Sequence, residues 1–164
     1  MLFRSQGRRG RTKNLWRFVF DGVVYQPGEL KAVAYRNGKV WCEETVQTAG
    51  ALAKLELMPE CKKVSADGED VAYVTVRVCD AQGRTCPTAT IPLKVTVRGG
   101  GEFVSAENGD EADFSWFRDP ERKTFNGYLS VLVRRRPNCK APITVEVSGA
   151  GLSTAICQIG RAHV

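Results

Sequence analysis

Carboxylates are the side chains of this sequence best placed for chemistry. Four clusters bring them together along the chain: Glu43-Glu44, Glu69-Asp70, Asp110-Glu111-x-Asp113 and Asp119-x-Glu121. Two carboxyl groups a few ångströms apart can divide a hydrolytic reaction, one moving a proton while the other attacks or stabilises charge. Adjacent acids on a strand point to opposite faces, however, and acids in loops are normally solvated. These clusters are therefore expected to be surface charge, and none is assigned a catalytic role.

Other reactive groups are scarcer. His163 is the only histidine, and it falls in a terminal segment of doubtful origin, so no imidazole is at hand for a triad, a general base or a zinc site. Cys42, Cys61, Cys79, Cys86, Cys139 and Cys157 are scattered without a Cys-x-x-Cys pair. Their even number permits disulfides without identifying any, and free thiols serving as small core hydrophobes are the leading expectation. Asn108-Gly109-Asp110 with Asp113 offers oxygen ligands, but the spacing misses the EF-hand pattern and Trp116 stands near its place of closure. A turn in which Asn108 and Asp110 bond to local backbone is expected instead. Gly99-Gly100-Gly101 opens no helix, which leaves a phosphate cradle unsupported. No cofactor or metal is expected.

The elements that must position these groups are strands. Alternating or apolar segments recur at Leu15–Asp21, Glu29–Tyr35, Val40–Thr48, Ala53–Met58, Ala72–Cys79, Leu93–Arg98, Gly101–Ser105, Leu129–Arg134 and Ile143–Ser148. Asn37-Gly38 between two of them is a strong hairpin signal, and Asp67-Gly68, Gln82-Gly83, Asn108-Gly109 and Asn126-Gly127 punctuate the rest. Pro27-Gly28 is expected to form a turn leading into the strand at Glu29. Val74, Val76 and Val78 should face a core, with Thr75, Arg77 and Cys79 outward. Val95 and Val97, Leu129, Val131 and Val133, and Ile143, Val145 and Val147 supply matching stripes. Trp116 and Phe117 are expected to close one end of the resulting sandwich.

The chain has 164 residues, 43% apolar and 26% charged, as a globular protein of one domain or one and a half would. No apolar run approaches the roughly 20 residues of a membrane helix. The net charge of +6 invites a nucleic-acid partner. Its two basic clusters, Arg8, Arg9, Arg11 with Lys13 and Arg134-Arg135-Arg136, lie beside Gly, Pro or Asn, where solvated loops or strand ends are expected, and no nucleic-acid motif surrounds them. Neither nucleic acid nor membrane is expected as a partner.

One segment is more distinctive than its physics. Tyr25-x-Pro27-Gly28-Glu29-Leu30-x-Ala32-Val33-Ala34-Tyr35, then Asn37-Gly38-Lys39 and Glu44-Thr45-Val46-x-Thr48-Ala49-Gly50, resembles the C-terminal accessory region of bacterial glycoside hydrolase family 2 enzymes of the β-galactosidase type. The resemblance continues in order through Ala66-Asp67-Gly68-Glu69-Asp70, Tyr73-Val74-Thr75-Val76, Asn108-Gly109-Asp110 and Phe125-Asn126-Gly127. It implies an all-β chain: an immunoglobulin-like β-sandwich preceded by an incomplete second β-sandwich. It also implies that the catalytic glutamates sit in a barrel domain elsewhere, so no position here inherits them.

Both termini depart from that pattern. Met1-Leu2-Phe3-Arg4-Ser5 can be encoded by GTG-CTC-TTC-CGA-TCT, and the run Gln158-Ile159-Gly160-Arg161-Ala162-His163-Val164 by a sequence containing its reverse complement over about 15 nucleotides. Sequencing-adapter read-through would produce this. The expected organisation is residues 1–5 and 158–164 as adapter-derived scars, 6–49 as the C-terminal part of a truncated β-sandwich, and 50–157 as the complete sandwich. About three strands before residue 49 fall short of the roughly seven of an immunoglobulin-like domain, which predicts exposed apolar surface there.

Three functions are in contention. The first is a non-catalytic accessory region, its partners the catalytic and other β-sandwich domains of the parent enzyme. The second is a carbohydrate-binding module that stacks polysaccharide on Trp16, Trp41 or Trp116. The third is an adhesin-like domain, on the strength of the Asp80-Ala81-Gln82-Gly83 turn. Fold alone does not separate them. Compartment follows the parent, for which a periplasmic or secreted enzyme is one reading.

Overall fold

A computed structural model describes residues 23–65 and 67–162. The expected strand Leu15–Asp21, Trp16, the first basic cluster and His163 lie outside them. The chain divides into two compact units, Met1–Thr48 and Ala49–Val164. All regular elements among the described residues are strands.

The first unit contains a hairpin of β1 (Glu29–Arg36) and β2 (Lys39–Gln47). Asn37 and Gly38 join them with φ of 53° and 76°, the left-handed pair that matches the twist of two flanking strands. Leu30 faces Val46 and Ala32 faces Glu44, with a bulge between Ala34 and Tyr35. Pro27-Gly28 makes a bend, not the tight turn expected: Gly28 has φ of 141°. Its N–H donates to Thr48 Oγ1 and its carbonyl accepts from Thr48 N–H, so the residue closes the open end of the hairpin.

The second unit is a β-sandwich. One sheet has the order β3 (Lys54–Pro59), β5 (Val71–Cys79), β9 (Tyr128–Arg135), β7 (Gly101–Glu107). The other runs β4 (Lys63–Val64), β11 (Leu152–Arg161), β10 (Ile143–Gly149), β6 (Pro92–Gly99), β8 (Glu121–Lys123). Pairing is antiparallel except between β4 and β11. Alternation drives the inner faces together, because residues two apart share a face. Val74, Val76, Val78, Leu129, Val131 and Val133 from one sheet, and Ile143, Val145, Val147 and Ile159 from the other, are fully buried in one cluster. Removing such side chains from water, at about 25 cal/mol per Å² of apolar area, is the main stabilising term.

Several expectations need correction. Cys79 lies on the outer side of β5, outside the core cluster, yet it is not exposed there. It is fully buried, since the chain folds back over the end of β5 through the Ala53 N–H bond to Cys79 O and the Cys79–Thr85 bridge. Arg134-Arg135-Arg136 is not a solvated cluster: Arg135 continues the inward stripe of Leu129, Val131 and Val133 and is fully buried. Its guanidinium donates to the carbonyls of Cys139, Ala141 and Ile159, which compensates its desolvation. Arg134 pairs with Glu102 on the surface. Strands β4, β8 and β11 were not foreseen. β11 extends through Arg161 and contributes Ile159 to the core, so the segment expected to be foreign takes part in the sandwich. All six thiols are free. Cys86 lies in the core, with Cys61 and Cys157 packed against it, while Cys42 is exposed.

Candidate functional site

The loop between β7 and β8, residues 108–120, gathers the largest share of the residues that sequence marks for chemistry. A chain of side-chain-to-backbone bonds fixes its path. Asn108 Oδ1 accepts from Asp110 N–H, Asp110 Oδ1 from Ala112 N–H, Asp113 Oδ1 from Ser115 N–H and Asp119 Oδ1 from Glu121 N–H. Each is a short polar side chain bonding two residues ahead, the habit that makes Asn and Asp turn formers. The local turn expected at Asn108 and Asp110 is therefore present. Backbone bonds from Ala106 N–H to Phe117 O and from Asp119 N–H to Trp116 O tie the loop to β7 and tighten its far end.

At its base lies a charged knot. Arg122, at the centre of β8, is 4% exposed. It donates to Ala106 O, approaches Asp113 Oδ2 at 3.2 Å through Nε, and lies 5.0 Å from the centre of the Phe117 ring. Asn108 Nδ2 adds a bond to Asp113 Oδ2 and another to Lys123 O. Hydrogen bonds from the Ser115 side chain and N–H, then Asn108 and the Arg122 charge, hold the Asp113 carboxyl down to about 2. Such a group is ionised at neutral pH and is a poor proton donor.

Beside this knot an open groove of about 720 Å³ runs along the β6–β8 edge of the five-stranded sheet. Lys94 and Glu121 form a 2.9 Å ion pair on its wall, and Ser148 lies on the β10 side. No motif or spacing marks Arg122, Lys94 or Ser148 as site residues. Glu121-Arg122-Lys123 is a run of three charged residues, and only the fold reveals its exposed-buried-exposed pattern.

The remaining acids are dispersed. Glu43 pairs with Lys31 in the hairpin. Asp70 accepts from Ser65 N–H, and Asp67 from the N–H groups of Glu69 and Asp70. Asp80, 1% exposed, accepts from Gly50, Gln82 and Arg84 N–H; these bonds, Gly50 first, lower its pKa. The Asp80-Ala81-Gln82-Gly83 turn thereby holds the first residues of the sandwich. Among the described residues no group of three or more His, Cys, Asp or Glu is arranged to hold a metal ion.

The aromatic candidates depart from expectation. Trp116 and Phe117 do not close the sandwich: they are 70% and 53% exposed, and Phe114 is 95% exposed. The short local bonds described above fix the path of the loop that carries them. Trp41, in the hairpin, is 68% exposed.

The comparisons with known proteins agree on one group. The family model for glycoside hydrolase family 2 C-terminal domain 5 matches residues 55–158, and a second model, a domain of unknown function (DUF4982), matches residues 3–42. The chain is 35% identical over 162 residues to β-galactosidase BoGH2A of Bacteroides ovatus, covering 95% of this chain and 18% of that protein. A β-glucuronidase of Formosa agariphila is 35% identical over 95 residues, 57% of this chain and 10% of its own. Among solved structures, a glycosyl hydrolase family 2 member from Bacteroides cellulosilyticus superposes with a TM-score of 0.82 at 26% identity, over 86% of this chain and 18% of that one. The chain thus spans less than a fifth of the length of each of these relatives.

Proposed function

Since the chain belongs to glycoside hydrolase family 2 through its C-terminal domain 5, we propose that it is a non-catalytic accessory region supporting the architecture or assembly of a β-galactosidase-type parent enzyme. The observation that carries this reading is the match itself: a C-terminal domain over residues 55–158, in a chain corresponding to 18% of a β-galactosidase. The acids support it. Asp110, Asp113 and Asp119 spend carboxylate oxygens on loop backbone, and Glu43 and Glu121 pair with lysines. A retaining glycosidase instead keeps two carboxyl groups about 5 to 5.5 Å apart and free to reach the substrate.

The other domains of the parent are its partners in this reading. A second reading, sugar stacking, is favoured by one observation: Trp41 and Trp116 are both about two-thirds exposed. Such rings offer an apolar face to a sugar or to a protein surface. Assaying the purified chain on an aryl β-galactoside and an aryl β-glucuronide tests the non-catalytic claim. No turnover is expected, and turnover that copurifies with the chain would overturn it.

A further inference from the structure

We propose that the outer face of the four-stranded sheet is the contact between two copies of this chain, packed face to face about a two-fold axis that runs along the strands. The inference deepens the accessory reading by naming a partner for assembly.

The two outer faces of the sandwich differ. On the five-stranded sheet, Lys94, Thr96, Arg98, Thr144, Glu146 and Ser148 alternate with the core residues of β6 and β10, as a sheet with one side in water should. Among the described residues of its strands, Ile156 is the only large apolar side chain exposed. The four-stranded sheet breaks that rule. Met58, Tyr73 and Tyr128 alternate with its core positions and are exposed, and the partly exposed Leu132 stands opposite Tyr73 in register. Its charges are already engaged: Glu56 pairs with Lys54 and Arg77, and Glu102 pairs with Arg134. Apolar groups framed by satisfied polar ones are the anatomy of a protein interface.

Register makes this face its own complement. Tyr73 pairs with Leu132, Thr75 with Ser130 and Arg77 with Tyr128 across β5 and β9. A two-fold axis between these strands exchanges them, which sets Tyr73 of one copy over Leu132 of the other, hydroxyl over hydroxyl, and the Arg77 guanidinium over the Tyr128 ring. Aligned sheets cross at about 30°, so these rows stay within reach. Charge agrees. The chain carries +6, which sets two copies against each other, but on this face Lys54, Arg77 and Arg134 are held by carboxylates, and docking on a copy meets little of that repulsion. With strands about 4.8 Å apart and about 3.3 Å of rise per residue, the face offers roughly 500 Å² on each copy, and the pair hides about 1,000 Å². That is the lower limit of a specific interface, and it implies a weak dimer.

Sedimentation velocity of the full chain over a range of concentrations tests this. Reversible dimers are expected, with a dissociation constant on the order of 10 to 100 µM. Met1 and Met58 are the only methionines, so methyl-labelled methionine gives an NMR resonance on the face itself, and the Met58 methyl should shift with the same concentration dependence. Tyr73→Lys and Ser130→Lys should each weaken association about tenfold or more, and Leu30→Lys in the hairpin should leave it unchanged. Tyr73 and Ser130 point away from the core, and the Met58 methyl reads the unsubstituted chain, so the result does not hang on the folding of a variant. A chain that stays monomeric would give the face to another domain of the parent and overturn the proposal. Association without movement of the Met58 methyl, equal association by Tyr73→Lys, or its loss in Leu30→Lys would overturn it too. A monomer leaves the accessory reading standing, and turnover of an aryl glycoside would sink that reading without touching the dimer.

Discussion

The hairpin and the sandwich are built from the same kind of sequence and end in different states. β1 and β2 are as long as β5 and β9, yet all nine residues of β2 are exposed while Val74, Val76, Val78, Leu129, Val131 and Val133 are sealed from water. A strand pattern specifies extended backbone and a face. Burial comes from a second layer. The sandwich contains both of its layers, so its turns and buried polar groups are tied into a finished interior; the hairpin presents Leu30, Tyr35, Val40, Trp41 and Val46 to solvent.

The largest test of that contrast is a matched truncation. Leu129→Ala should cost about 2 to 5 kcal/mol in urea denaturation, because the surrounding core cannot collapse fully onto the void. Leu30→Ala, at a residue 60% exposed, should change stability by less than about 0.5 kcal/mol. Equal effects would break the comparison.

A pair of glycines sharpens it. Gly127 and Gly38 have nearly the same φ, 80° and 76°, but a Cβ on Gly127 would run into the carbonyl of Cys86, whereas on Gly38 it would meet open space. Gly38→Ala should therefore cost only the left-handed conformation, about 1 kcal/mol, and Gly127→Ala about 2 to 4 kcal/mol once overpacking is added. Thermal unfolding of the two variants would rank them.

Acid gives a third, smaller contrast. Asp80 and Asp113 have carboxyl groups lowered in the folded state, so their contribution is complete above the ordinary carboxylate range. It is lost as pH falls toward the folded value, about 2 for Asp113. The sandwich should lose stability between roughly pH 4 and pH 2, and Asp113→Asn should flatten that dependence. An unchanged profile would show that these bonds are not made in solution. Smallest of all is the hairpin ion pair: Lys31→Ala removes the exposed bridge to Glu43 and should leave stability unaltered within error.

Most of the fold was legible because alternation and turn chemistry agree. Eight of the expected strands appear at nearly their expected bounds, and the Val and Ile stripes face inward as period two requires. What escaped notice lacked a local signal. β8 is three residues long, too short to show a period. Arg135 looked like one of three solvated arginines because composition outweighed its place on the stripe of β9. Cys79 is covered by a loop that returns from residues 80–86, a tertiary event that no strand pattern encodes. In the candidate site, the turn at Asn108 and Asp110 could be anticipated from side-chain chemistry. The groove could not, since Lys94, Arg122 and Ser148 come from three different strands that are neighbours only through sheet order.

In the proposed function the domain serves chemistry performed elsewhere in its parent enzyme. Hydrolysis of an aryl β-galactoside by the purified chain is the most direct measurement of that claim. No release of the aryl alcohol above the buffer rate is predicted, for the intact chain and for Asp113→Asn alike. Turnover that tracks the protein through successive purification steps and falls in Asp113→Asn would contradict it.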